Sequence, residues 1–272
     1  MKPAISSIAR DDLRALFGRQ GEPAYRADQV LKWVHQKHAS GWGVMTNLAK
    51  PLREKLLAQY TFSTVELARL QGKSGTTRKF LWRLADGQHV ESVLITASPA
   101  LYGESSDRHT LCVSAQVGCA YGCKFCASGL GGFKRDLESA EIIDQLLGIE
   151  RWHQTQEGAG ERLANNLVIM GMGEPLANYD NLLAALEILN ANWGANIGAR
   201  KITISTCGLV PEMVKLAMQP RQYRLAISLH GATDEVRGKI MPINGRYPLA
   251  ELIEAARQYQ REKSGMITLE YI

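Results

Sequence analysis

The chain has 272 residues, 45% of them hydrophobic and 22% charged, with a formal net charge of +5, which suffices for one large α/β core and a small appendage. No run approaches the roughly 20 apolar residues of a membrane-spanning helix, and Met1-Lys2-Pro3-Ala4 leads into a charged segment instead of a secretory core, so a cytoplasmic location is expected. Five cysteines, three of them within eight residues, suit metal or redox chemistry in a reducing compartment and speak against a disulfide scaffold.

Residues 1–60 carry ten Lys and Arg against five Asp and Glu, which is the whole positive excess. A basic module on a neutral body suits a polyanion such as RNA, although solvated cations on short helices give the same count. Apolar residues recur at helical spacing over Asp11 to Phe17, Tyr25 to Lys37 and Lys50 to Tyr60. Thr46-Asn47 before Leu48 reads as a helix start, and Trp33 and Trp42 are expected in a core and not as stacking platforms. A helical RNA-contacting domain is therefore expected over 1–65. A connector over 66–104 follows, where Arg78 to Leu84 and Val90 to Ile95 flank Ala85-Asp86-Gly87-Gln88 as a β-hairpin.

Residues 105–272 repeat one theme, a short β-rich run, a glycine-rich or polar junction and an amphipathic helix. The runs are Leu111 to Ser114, Leu167 to Met170, Lys201 to Ser205, Leu225 to Leu229 and Met266 to Ile272; the helices are Glu138 to Trp152, Tyr179 to Asn190, Val210 to Ala217 and Pro248 to Lys263. The alternation predicts an α/β fold whose parallel sheet of about five strands closes or partly closes into a barrel, with chemistry collected at the strand ends.

The motifs fall at that edge. Cys119, Cys123 and Cys126 stand as C-x-x-x-C-x-x-C after the first of these strands. Three thiolates cannot complete a tetrahedral zinc site or hold all four irons of a [4Fe–4S] cluster, so one iron would stay open for an outside ligand such as S-adenosylmethionine. A zinc knuckle completed by a histidine and a chance group of thiols are the alternatives. The second strand runs into Gly171-Met172-Gly173-Glu174-Pro175, where Gly173 lets backbone approach a ligand and Glu174 offers a carboxylate to a cationic amine. Ser205 closes the third strand and Ser228-Leu229-His230 the fourth, bringing hydroxyl and imidazole groups to the same rim. Singly, Ser205 reads equally well as a helix cap and His230 as a local hydrogen-bonding residue.

The segment Leu111-Cys112-Val113-Ser114-Ala115-Gln116-Val117-Gly118-Cys119 through Phe125-Cys126, with Gly131-Gly132-Phe133-Lys134-Arg135, Gly171 to Leu176, Ile204-Ser205-Thr206 and Ile227 to His230, resembles the RlmN/Cfr family of radical S-adenosylmethionine RNA methyltransferases. Tyr25 to Val34, Met45 to Leu48 and Val90-Glu91-Ser92-Val93 extend the likeness over essentially the entire chain. The resemblance implies a partial (β/α)6 radical-SAM barrel, and methylation of adenine C2 in 23S rRNA near the peptidyl transferase centre and in tRNA beside the anticodon. It implies a [4Fe–4S] cluster on Cys119, Cys123 and Cys126, and S-adenosyl-L-methionine among Gly173, Glu174, Ser205, Ser228, Leu229 and His230. By the same resemblance a methylated cysteine near the family's C-terminus carries the one-carbon unit, Cys112 resolves the protein–RNA adduct, Glu91 accepts a proton, and a small carrier such as flavodoxin supplies electrons. The target base must leave its stack to reach the strand ends.

The sequence stops at Thr268-Leu269-Glu270-Tyr271-Ile272 within the expected fifth strand, before the family's sixth strand, cofactor-binding asparagine and methyl-carrying cysteine. The expectation is a C-terminally truncated member or a shortened paralogue that cleaves S-adenosylmethionine weakly without methylating RNA by the two-cysteine route. Cys207 reads as a packed small side chain. Methylation at adenine C8, and a non-catalytic cofactor- or RNA-binding remnant, are the competing readings.

Overall fold

The structure is a computed structural model that describes residues 2–73, 75–97, 108–158 and 162–272. The expected 104/105 boundary between connector and core lies outside the described residues.

Helices α1 (Arg10–Arg19), α2 (Ala24–His35) and α3 (Lys50–Gln59) form at the amino-terminal end as their periodicity requires. Leu13, Phe17, Val30, Leu31 and Val34 are fully buried, with Leu52 and Leu56 nearly so, which makes one apolar stripe per helix. Thr46-Asn47 does not start α3, whose N-cap is Ala49 without a side-chain bond. Asn47 instead accepts the Trp33 indole N–H on Oδ1 at 2.6 Å and an Arg26 N–H on its carbonyl at 2.7 Å. Trp42 is buried, whereas Trp33 is half-buried under the Lys37 ammonium, 4.0 Å from the ring centre.

The chain continues through β1 (Val65–Gln71), β2 (Arg78–Leu84), β3 (His89–Thr96), β4 (His109–Cys112), the short ribbon β5 (Gln116–Val117) and β6 (Arg135–Asp136), and α4 (Ser139–Gln156). Then come β7 (Asn166–Ile169), α5 (Tyr179–Asn190), β8 (Ile202–Thr206), α6 (Val210–Ala217), β9 (Arg224–Ser228), α7 (Asp234–Ile240), α8 (Leu249–Lys263) and β10 (Ile267–Glu270). Among the described residues the main sheet has eight strands in the order β1-β2-β3-β4-β7-β8-β9-β10. The first four pair antiparallel, and β4, β7, β8, β9 and β10 run parallel. The five parallel strands are the expected ones, and the predicted hairpin supplies β2 and β3.

Besides the short β5–β6 ribbon, two elements have no counterpart in the sequence reading. Strand β1 is an edge strand whose register shifts between Leu67 and Arg69, so a bulge breaks the two-residue alternation that would reveal it. Helix α7 is only seven residues long, too short for a periodic signal, and starts where Thr233 Oγ1 accepts the Val236 N–H at 3.3 Å.

Sheet register sorts the site residues by face. Leu94, Leu111, Leu167 and Ile202 stand side by side and are buried. On this face α4 inserts Gln145, whose Oε1 accepts from Ser92 Oγ at 2.8 Å and from the Ser114 N–H at 2.9 Å. The adjacent row of Val93, Cys112, Val168 and Thr203 points the other way and is half-buried. The helical module is fastened to α4 by Asp144 Oδ2, which accepts from the Thr64 N–H at 2.7 Å, and by Arg151, which donates to the Ala39 carbonyl at 3.0 Å.

Candidate active site

A cavity of about 390 Å³ opens at the carboxyl ends of β7, β8, β9 and β10. Cys119, Cys123 and Cys126 line it together with Glu174, Ser205, Ser228 and His230. The cysteine loop is held by backbone bonds, with Lys124 N–H donating to the Ile240 carbonyl at 2.9 Å and Cys126 N–H to the Cys123 carbonyl at 3.0 Å.

The three thiols are half-buried and form no disulfide. Burial, helped by the neighbouring Cys119 and Cys126, pushes the Cys123 thiol up to about 11. Burial also raises Cys119, against the opposing effect of the Tyr121 and Ala120 amides bonded to its sulfur. Buried in this way, Cys119 and Cys123 resist ionisation, and a bound metal centre supplies the positive charge that reverses this. The donor set is therefore soft and anionic once metallated, as an iron–sulfur cluster requires. Among the described residues no three His, Cys, Asp or Glu side chains are gathered around a single-ion position.

Glu174, on the same lining, is buried, and burial raises its pKa. Its Oε2 accepts the Cys207 N–H at 2.7 Å and its Oε1 the Leu176 N–H at 3.0 Å, so the carboxylate is oriented by backbone while still lining the cavity. Gly173 before it adopts φ +98°, and a Cβ there would lie 2.4 Å from Gln116 Cβ. Only glycine lets this turn press against β5, where Gln116 Oε1 accepts the Glu174 N–H at 2.8 Å.

Ser228 Oγ donates to Glu270 Oε2 at 3.1 Å, and Ser205 Oγ reaches the same oxygen at 3.4 Å. Ser205 therefore does not cap a helix; Thr206 Oγ1 takes the Gly208 and Leu209 amides in that turn. The Glu270 carbonyl accepts both the Leu229 and His230 N–H groups, at 3.0 and 3.2 Å. Sequence reasoning missed Glu270, whose role depends on the pairing of β10 with β9 that sets it opposite Ser228.

His230 lies in the left-handed region at φ 51°, is buried, and meets the Phe125 ring edge-on at 4.4 Å. Its Nδ1 has no hydrogen-bond partner among the described residues. A strained, buried imidazole with an unpaired nitrogen on a cavity wall is costly unless the site uses it.

Cys112 and Glu91 stand apart from this lining. The Cys112 thiol is bonded by the Met170 amide and pushed up to about 11 by burial, with Glu270 adding to the rise. Glu91, two residues before Val93, shares the Cys112 face of the sheet and pairs with Lys79 at 2.9 Å. In the amino-terminal module, Arg10 and Arg14 both bind Asp28, at 2.7 and 2.6 Å, so part of the basic excess is neutralised internally.

The family model described as the ribosomal RNA large subunit methyltransferase N-terminal domain matches residues 5–61, and that of the Radical SAM superfamily matches residues 113–270. A probable dual-specificity RNA methyltransferase RlmN from Akkermansia muciniphila is 51% identical over 99% of this chain and 73% of its own length. A probable dual-specificity RNA methyltransferase RlmN 3 from Opitutus terrae is 49% identical over 100% of this chain and 73% of its own. The crystal structure of a radical SAM methyltransferase from Sphaerobacter thermophilus superposes with a TM-score of 0.90 at 39% identity, covering 99% of this chain and 76% of that one. The family resemblance carried by the cysteine, Gly-Met-Gly-Glu-Pro and Ser-Leu-His segments is thus shown over the full chain, which belongs to the RlmN family of radical S-adenosylmethionine RNA methyltransferases.

Proposed function

We propose that the protein serves the methylation of C2 of adenosine in 23S rRNA and in tRNA, with a [4Fe–4S] cluster on Cys119, Cys123 and Cys126 and S-adenosylmethionine in the adjoining cavity; the methyl-carrying cysteine of that route is not among these 272 residues. The observation that carries this reading is the convergence of three thiols with Glu174, Ser205, Ser228 and His230 on one cavity at the strand ends. When bound, the cluster and its adenosylmethionine supply a one-electron route to a carbon radical, which adenine C2 needs because it is not nucleophilic.

The chain's own residues do the rest. The Glu174 carboxylate, held by the Cys207 and Leu176 amides, keeps lone pairs for a cationic amine. An ammonium there compensates the burial that raises the Glu174 pKa. The Ser205 and Ser228 hydroxyls, oriented by Glu270, would hold ribose hydroxyls, and His230 Nδ1 is available to a polar ligand edge. Cys112 and Glu91 line the half-buried sheet face beside the cavity, where an unstacked adenine would meet a resolving thiol and a proton acceptor. The neutral Cys112 thiol must lose its proton before it acts as a nucleophile. A small electron carrier such as flavodoxin and a cytoplasmic setting complete the reading.

Two measurements test it. Anaerobic iron–sulfide reconstitution of the protein should give iron absorbance and, with reductant and S-adenosylmethionine, 5′-deoxyadenosine. Mass spectrometry of 23S rRNA and tRNA nucleosides from cells with and without the gene should show 2-methyladenosine only when the gene is present. Stoichiometric zinc without iron, or loss of 8-methyladenosine in its place, overturns the assignment.

A further inference from the structure

Arg237 on α7 is completely buried; the Asp234 carboxylate acts on it from a distance, but the hydrogen bonds of its guanidinium go to carbonyl and amide oxygens. Nη2 donates to the Cys207 carbonyl at 2.6 Å and reaches the Ser228 carbonyl at 3.4 Å; Nε donates to the Leu229 carbonyl at 3.0 Å. Nη1 donates to Asn244 Oδ1 at 2.9 Å, and Asn244 is fixed through its Nδ2 to Asp234 Oδ1 at 3.0 Å.

These acceptors lie on two separate turns. Cys207 follows β8, and its N–H is the group that orients Glu174 Oε2. Ser228 and Leu229 follow β9 and lead into the left-handed His230. The next residue, Gly231, has no room for a side chain, since a Cβ would sit 2.5 Å from the Arg237 backbone nitrogen. Helix α7 is therefore pressed directly against the turn it braces. An apolar side chain would fill the same space without the desolvation cost of a buried cation, so stability alone does not account for an arginine here. Its planar fork of donors does account for it, because only such a fork can join carbonyls from two turns at fixed separation.

We propose that Arg237 is a positioning residue that ties the turn after β8 to the turn after β9 and so sets the spacing between the Glu174 carboxylate and the Ser228–His230 segment across the cofactor cavity. The inference rests on the reading of that cavity as the adenosylmethionine pocket. Arg237→Lys is the test, because lysine keeps the charge and loses the fork. In metal-free protein, amide hydrogen exchange at Cys207, Leu229 and His230 should quicken by about tenfold or more, with residues 119–126 unchanged. In cluster-loaded protein, iron content should match wild type while the KM for S-adenosylmethionine rises by about tenfold and kcat changes less.

Unchanged exchange at the two turns, or an equal rise throughout the chain, overturns the brace. Quickened exchange with an unchanged KM overturns its link to the cofactor. A wild-type protein that holds iron but binds no S-adenosylmethionine overturns the reading of the pocket, and the exchange arm still decides the brace by itself. Should Arg237→Lys fail to fold, Asn244→Ala removes one acceptor and leaves the cation, and should give the same exchange pattern at several-fold amplitude; no change there sinks the proposal.

Discussion

The amino-terminal helical module and the carboxyl rim of the parallel sheet are built on opposite terms. The module buries Leu13, Phe17, Val30, Leu31 and Val34 completely and leaves its charges at the surface, where Asp28 gathers Arg10 and Arg14. The rim buries a carboxylate, an imidazole in a left-handed conformation and a guanidinium, and keeps three thiols half-covered. The first arrangement draws its stability from apolar burial. The second gives stability up for geometry, as functional sites do.

That contrast predicts opposite responses to substitution. At the rim, Cys123→Ser should abolish iron binding and with it all 5′-deoxyadenosine formation, while the melting temperature of the metal-free chain stays the same or rises. A melting temperature that falls as far as the iron content would make the thiols structural. In the module, Leu31→Ala should lower unfolding free energy in urea by about 2–5 kcal/mol. The rate of 5′-deoxyadenosine formation per bound cluster should not change. A proportional fall in that rate would show that the two regions are not separable.

A smaller effect lies at the seam between them. Burial, reinforced by Arg151, holds the His35 imidazole down to about 3; burial, Arg151 and Arg162 hold His38 down to about 4, with Glu150 Oε2 4.0 Å away. Both stay neutral in the folded chain and take up protons near 6.5 when it unfolds. Their contribution is complete above about pH 6.5 and is lost as pH falls toward 4 and then 3, at up to about 1.4 kcal/mol per pH unit for each. Buried Asp144 and Glu150 have raised pKa values, and their contribution runs the opposite way, gaining as pH falls. The informative quantity is therefore a difference between two proteins. His35→Phe, which keeps an aromatic edge for Trp193 at the site of the 6.3 Å contact, should lose about 2 kcal/mol less than wild type between pH 7 and pH 5. Equal losses would mean that His35 titrates normally in the folded protein.

The same two regions differ in how much of them sequence could disclose. Apolar periodicity predicted α1, α2, α3 and the five parallel strands because burying those side chains is what forms the elements. The cysteine spacing and the Gly-Met-Gly-Glu-Pro turn announced a site because their chemistry is local in sequence. Glu270, Arg237 and Asn244 were invisible in that role. Each acts on groups from 7 to 65 residues away, through bonds that arise only after β8, β9 and β10 are in register. Strand β1 was hidden by its bulge and α7 by its length.

The smallest expected effect on stability is at the Glu91–Lys79 pair, where a test of function separates the two kinds of region most finely. Its pair with Lys79 is 41% and 40% exposed, so Lys79→Ala should change stability by less than about 1 kcal/mol. Glu91 nonetheless shares the sheet face of Cys112, outside the cofactor cavity. As a proton acceptor for the RNA base it should be dispensable for radical formation. Glu91→Gln should leave 5′-deoxyadenosine production as in wild type and slow the appearance of 2-methyladenosine by roughly a hundredfold or more, the typical worth of a positioned base. Equal slowing of both products would move Glu91 into the cofactor machinery. Slowing of neither would return it to the exposed ion pair in which it stands.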